Sequence, residues 1–68
     1  MLREKNECIA VKGFAALILD YEWPEDNGLP ACVSCRVLIE DVYQTRIHAE
    51  TREQAIEKFM SGAWREAA

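Results

Sequence analysis

The chain has 68 residues, of which half are hydrophobic, and its 12 acids against 8 bases give a net charge of -4 at pH 7. A chain of this length supports one small domain, residues 1–68, with a thin core, and its apolar content excludes a disordered chain. The acidic balance and the lack of a basic tract argue against direct binding to nucleic acid.

The acidity is concentrated in the middle of the chain. Between residues 20 and 41 there are six acids and one base, so the remaining residues carry six acids and seven bases. The longest apolar run, Phe14 to Leu19, is too short to cross a bilayer or to form the core of a signal peptide. The three cysteines, an odd number, also disfavour a disulfide-stapled secreted domain, so we expect a cytoplasmic protein.

Residues 8–23 are compatible with two secondary structures. The apolar residues between Phe14 and Tyr21 match both the spacing of an amphipathic helix and one face of a strand. No capping residue stands close before Phe14, and Gly13 lies where the first helical turn would be. The branched and aromatic content suits a strand in which Gly13 forms a bend, so we favour one long bent strand.

A surface loop and then a β-hairpin follow. Residues 24–30, PEDNGLP, have the composition of a turn. A plain two-residue turn at Glu40-Asp41 would set the apolar face of the first hairpin strand against polar residues of the second. A three-residue connection, residues 40–42, or an equivalent bulge, instead gives one nearly dry face. The pairs on that face are then Ile39 with Tyr43, Val37 with Thr45, Cys35 with Ile47 and Val33 with Ala49.

The other face of this hairpin opposes Arg36 to Arg46. Two like charges directly across a strand pair destabilise a sheet, so an acid is expected beside them. The internal candidates are Asp20 and Glu22, if the first strand pairs alongside, and the external candidate is an anionic surface of a partner. We favour the internal acids.

The C-terminal part predicts a helix with defined ends. Thr51 and Gln54 form a capping box, Gly62 is placed to end the helix, and Trp64 follows as a lid on the core. The apolar stripe of this helix consists of Ala55, Ile56, Phe59, Met60 and Ala63. The predicted fold is therefore α+β, a small three-stranded antiparallel sheet with one C-terminal helix packed on one face (βββα), and residues 1–7 and 65–68 are expected to be flexible.

Four residues have the chemistry of zinc ligands: Cys8, Cys32, Cys35 and His48. In a strand, however, Cys32 and Cys35 point to opposite faces, and the predicted register also separates Cys35 from His48. A redox pair needs a helix N-terminus, and none begins here. We therefore favour structural thiols and no cofactor, with a zinc-stabilised module as the alternative.

Catalytic motifs are missing from the sequence. The single histidine has no nucleophile or acid placed around it by a recognisable motif, and no glycine-rich phosphate loop occurs. The adjacent acid pairs stand in turns, whereas catalytic carboxylates need a cleft that separates their pKa values. We expect no enzymatic activity.

Surface recognition is the remaining class of function. If residues 14–19 form a strand, both of its faces are apolar, and one helix covers only one of them. The uncovered side, which carries either Phe14, Ala16 and Ile18 or Ala15, Leu17 and Leu19, then needs a second copy of the chain or another protein.

The acidic loops are the predicted partner-binding sites. An aromatic anchor within a charged rim is typical of an interface hot spot, although Trp23 is equally suited to plug the end of the core. The predicted partner-binding residues are Glu22, Trp23, Glu25, Asp26, Leu29, Glu40 and Asp41.

Together these features predict a non-enzymatic, acidic protein-binding module, an inhibitor or adaptor that blocks a host protein or nucleoprotein complex. In size and charge the chain is similar to small phage and mobile-element proteins, including anti-CRISPR proteins, which often engage basic nucleic-acid-binding surfaces. The strands followed by the helix in ETREQAIEKF also resemble small sheet-plus-helix antitoxin domains, so an antitoxin-like partner protein is a further alternative.

Overall fold

The computed structural model describes residues 2–67, which form one four-stranded antiparallel sheet with helices on one side. The strands are β1 (Arg3–Lys12), β2 (Ala15–Trp23), β3 (Cys32–Ile39) and β4 (Val42–Ala49), and the helices are α1 (Arg52–Ser61) and α2 (Trp64–Ala67). The order in the sheet is β1-β2-β3-β4, so each strand pairs with its neighbours in sequence. The predicted three-stranded sheet is therefore wrong, although the fold is α+β.

The extra strand arises because residues 8–23 are not one bent strand. Lys12 pairs with Ala15, and the chain reverses at Gly13, whose φ of 63° suits the first position of a two-residue hairpin turn. β1 begins at Arg3, inside the segment that the sequence suggested to be flexible. At the other end, α2 takes up residues 64–67, and residues 1 and 68 lie outside the described residues.

The register of β3 and β4 combines the two connections that the sequence allowed. Val37 pairs with Thr45 and Cys35 with Ile47, as predicted. The connection itself is the two-residue turn Glu40-Asp41, with φ of 49° and 67°, and a register shift between Val37 and Leu38 restores the apolar face. The predicted pairing of Ile39 with Tyr43 is therefore wrong at the turn, where Leu38 pairs with Tyr43.

The helix caps are those the sequence predicted. The Thr51 hydroxyl accepts a hydrogen bond from the Gln54 backbone N–H at 3.1 Å, and the Gln54 side chain accepts one from the Glu50 N–H at 3.2 Å. Gly62 ends α1 in the left-handed region with φ of 78°, and its N–H donates to the Phe59 carbonyl at 3.2 Å. These local contacts fix where α1 begins and ends.

The hydrophobic core lies between the sheet and α1. Its buried members are Ala15, Leu17, Leu19, Val33, Cys35, Val37, Ile47, Ala49, Ala55, Phe59 and Trp64. The Trp64 indole stacks on Phe59 with ring centroids 6.0 Å apart, and its N–H donates to the Phe59 carbonyl at 2.9 Å. Trp64 thus closes the end of the core, whereas Met60 of the predicted apolar stripe is 40% exposed.

Candidate protein-binding surfaces

The sheet has one covered face and one open face. Leu17 and Leu19 are fully buried on the side covered by α1. The open side is therefore the one that carries Phe14, Ala16 and Ile18, which selects one of the two alternatives left by the sequence. Phe14, in the turn between β1 and β2, is 79% exposed.

An apolar row crosses all four strands on the open face. Val11 pairs with Ala16, Ala16 with Leu38, and Leu38 with Tyr43, so the four side chains lie side by side. Val11 and Tyr43, at the two ends of the row, are 62% and 55% exposed. A row of this kind offers apolar contact area but no charge that would select a partner.

A buried carboxylate neutralises the two opposed arginines on the same face. Asp20 is 5% exposed and accepts hydrogen bonds from the Nη1 atoms of both Arg36 and Arg46, the second at 2.8 Å. Arg46 Nη1 also donates to the Ser34 hydroxyl at 3.0 Å, and Arg36 Nη2 donates to the Asn6 side-chain oxygen at 2.9 Å. The acid expected beside the arginines is therefore internal, and it is Asp20.

Glu22, the other internal candidate and a predicted partner-binding residue, is engaged on the helix side. It accepts a hydrogen bond from Arg52 Nε at 3.1 Å and lies 3.9 Å from the Lys5 ammonium. The hydrogen bond and charge of Glu22 raise the pKa of Arg52. Glu22 thus ties β2 to α1, and its charge is not free for a partner.

The acidic loop between β2 and β3 contains a hydrogen-bonded turn at residues 26–29. The Asp26 N–H donates to the Leu29 carbonyl at 3.2 Å and the Leu29 N–H donates to the Asp26 carbonyl at 2.8 Å. Between them, Asn27 and Gly28 have φ of 48° and 80°, the left-handed values that a tight turn requires. Glu25 and Asp26 are exposed, and Leu29 is 69% exposed.

A cleft of about 470 Å³ opens beside this loop. It is lined by Trp23, Pro24, Asp26, Leu29, Pro30, Cys32 and His48. Trp23 is half-buried, with its ring centroid 6.0 Å from that of Tyr21, so it both supports the end of the sheet and faces the cleft. Cys32 and His48 join this site only through the strand register, so the sequence did not predict them there.

The second acidic turn lies at the opposite end of the sheet. Glu40 and Asp41 follow β3, whereas the acidic loop precedes it. Since β3 has 8 residues and a strand advances about 3.3 Å per residue, the two acidic segments are separated by roughly 23 Å. The structure therefore brings Trp23, Asp26 and Leu29 together, and it places Glu40 and Asp41 elsewhere.

The cysteines differ in exposure and are all free. Cys8 is exposed, Cys32 is half-buried and Cys35 is buried. Burial raises the pKa of the Cys35 thiol to about 11, and the negative charge of Asp20 acts in the same direction. At neutral pH this thiol stays protonated, which disfavours it as a metal ligand or nucleophile. Among residues 2–67, no group of three or more His, Cys, Asp or Glu side chains is arranged to hold a metal ion.

Comparison of the chain with protein-family models, with curated proteins and with solved structures finds no match. Within the described residues, no helix is long and apolar enough to span a membrane. The cleft beside the acidic loop and the open face of the sheet are two surfaces of this chain that a partner could contact.

Proposed function

We propose that the chain is a non-enzymatic protein-binding module whose acidic loop, residues 23–29, docks onto a basic surface of another protein. The observation that supports this is a pre-shaped turn holding an exposed Leu29 beside two acids that make no ion pair in the described part of the chain, Glu25 and Asp26. An apolar anchor inside a charged rim is the usual composition of a binding hot spot.

The hydrogen-bonded turn at residues 26–29 lowers the entropic cost of binding. A flexible loop loses conformational entropy when it docks, whereas the backbone pair between Asp26 and Leu29 has already ordered this one. Leu29 then contributes apolar burial, and the cleft beside Trp23 receives a side chain of the partner.

Charge defines the class of partner. A protein of net charge -4 whose exposed loop acids, Glu25 and Asp26, make no ion pair within residues 2–67 is attracted to basic surfaces. Such surfaces are typical of proteins that bind nucleic acid. Covering such a surface blocks it, so the function proposed is that of an inhibitor or adaptor acting on a host protein or nucleoprotein complex. Only a partner wide enough to span about 23 Å contacts the Glu40-Asp41 turn as well.

A matched pair of charge reversals tests the proposal. The double variant Glu25→Lys with Asp26→Lys changes the charge at the loop, and Glu40→Lys with Asp41→Lys makes the same change at the other end of the sheet. Each tagged protein is used to capture partners from a lysate of the host cell, followed by quantitative mass spectrometry. We expect the loop variant to fail to capture a protein that the parent chain and the second variant both capture. The amount of this protein that the parent chain captures should fall as the salt concentration is raised. Equal capture by all three proteins excludes the loop as the binding site.

A further inference from the structure

The outer edge of β4 is available for strand pairing. β1 and β4 are the two edges of the sheet, and β1 is interrupted by two register shifts. In β4 the pairing with β3 is regular from Thr45 to Ala49, because its single shift lies nearer the turn. An edge without a bulge presents a row of backbone groups that an additional strand can bond.

A hydrogen bond from a lysine on α1 shows that the carbonyl of His48 points away from β3. The Lys58 ammonium donates to the His48 carbonyl at 2.9 Å. In an antiparallel strand the backbone groups of alternate residues point to the same side, so the N–H and carbonyl of Arg46 also face away from β3. Arg46 and His48 therefore offer backbone groups on the same outer side of β4, to which an added strand can bond.

A groove of about 430 Å³ follows this edge between β4 and the end of α1. It is lined by Thr45, Arg46, Ile47, His48, Lys58, Ser61, Ala63 and Trp64. None of these residues is acidic, although the chain as a whole is acidic. Lys58 is the principal cation among them, because Arg46 is paired with Asp20. The Arg65 guanidinium, 4.7 Å from the centre of the Trp64 ring, adds a positive charge next to the groove.

We propose that the β4 edge binds an extended acidic segment of another protein as a fifth strand of the sheet. The incoming backbone takes the place of the Lys58 ammonium at the His48 carbonyl, and the released ammonium pairs with a carboxylate of the segment. Because side chains of a strand alternate, acids at every second position all face the groove. A second copy of the chain fits this edge poorly, since pairing β4 with β4 would bring Lys58 and His48 close to their own counterparts.

Backbone-methylated peptides test the strand pairing itself. The probe is a fluorescent, end-blocked peptide of 8 residues, the length of β4, with valine and glutamate in alternation. We expect saturable binding by fluorescence anisotropy, with amide NMR shifts concentrated at residues 45–49. Methylating alternate backbone nitrogens in one phase is expected to abolish binding, and methylating the other phase is expected to preserve it. Equal binding of both methylated peptides, or none by the parent peptide, overturns the proposal.

Two lysines provide a matched test of the charge. Lys58→Glu is expected to weaken binding by about fivefold or more. Lys12→Glu is the control, because Lys12 also donates to a backbone carbonyl, that of Met60 at 2.8 Å, but lies on β1. Equal effects of the two substitutions overturn the proposal. A dimer that appears in sedimentation and dissociates when the peptide is added also overturns it, because the edge would then bind a second copy of the chain. The Glu25→Lys, Asp26→Lys variant should bind this peptide undiminished, so failure of the loop site and of the β4 edge are distinguishable.

Discussion

Replacing Asp20 by asparagine is expected to destabilise the fold by about 2 kcal/mol. The buried carboxylate accepts hydrogen bonds from Arg36 and Arg46, and a bond to a charged group contributes about 1.5–3 kcal/mol. The side chains of Arg36 and Arg46 keep 35% and 34% of their surface exposed, so solvent screening reduces the summed energy of the two bonds to about half. The amide oxygen of the asparagine would retain part of that energy. Against a total of about 3–10 kcal/mol for a chain of this length, the loss is large.

Urea unfolding followed by tryptophan fluorescence measures this loss. With a slope of about 1 kcal/mol per molar urea for so small a domain, the midpoint should fall by about 2 M. Asp26→Asn is the control: Asp26 is exposed and has no ion pair in the described part of the chain, so its substitution should cost less than about 0.5 kcal/mol.

A rescue experiment separates charge repulsion from lost packing. If Asp20 acts by neutralising the arginines, adding Arg36→Thr and Arg46→Thr to Asp20→Asn should recover stability, because no unpaired charges remain on the strands. Equal midpoints for Asp20→Asn and the Asp26→Asn control, or a triple variant no more stable than the single one, would show that Asp20 does not hold the arginines in this way.

Two further predictions concern Cys35 and the open face. The pKa of Cys35 is about 11 in the folded chain, against an ordinary value of about 9. The protonated thiol therefore stabilises the fold fully below pH 9, and the free energy of unfolding should fall as pH rises to 11, by at most about 1.4 kcal/mol per pH unit. Cys35→Val should remove that part of the slope in alkaline unfolding curves, and a slope identical to the parent's would contradict the assignment. Four strands about 4.8 Å apart, each of about 8 residues at about 3.3 Å per residue, give the open face an area of about 500 Å². A homodimer formed through it would bury about 1,000 Å², the lower limit for a specific interface. Sedimentation velocity should show a dimer that Tyr43→Lys dissociates and Leu29→Lys does not, and a parent chain that stays monomeric excludes it.

The parts of the fold that the sequence predicted are those set by local chemistry. The ends of α1 followed from Thr51, Gln54 and Gly62 because each cap is made within a few residues. The pairing of Cys35 with Ile47 followed from side-chain parity, because a slip of one residue would expose the apolar face. Both features depend on neighbours that can be read directly from the chain.

β1 was not predicted as a separate strand, because its sequence lacks the alternation that marks one; only its residues 8–12 fell within the predicted bent strand. Most of its residues are exposed at the sheet edge, and register shifts after Glu4 and after Cys8 change which residues face the core. One of these shifts contains Asn6 with φ of 55°, a backbone conformation that no periodicity reveals. The sequence therefore predicted one bent strand running through Gly13, where the chain in fact turns.

The candidate site was predicted only in part because it depends on contacts distant in sequence. Leu29 and Asp26 were recognised from turn chemistry, and the structure joins them to Trp23. Glu22 was assigned to a partner because nothing local indicates that Arg52, 30 residues later, takes its carboxylate. The groove along β4 was invisible for the same reason, since Lys58 reaches His48 only when α1 lies across the sheet.

The acidic loop and the basic β4 edge adjoin each other, because His48 lines both the loop cleft and the β4 groove. Arg46 forms an ion pair with Asp20, so Lys58 is the principal cation left on the β4 edge. Opposite charges on adjoining surfaces exclude a partner segment of uniform sign from covering both. A segment with a basic part at the loop followed by an acidic strand along β4 would gain from both, because the first contact raises the effective concentration for the second. The order of charges along the partner, rather than its net charge, would then decide binding.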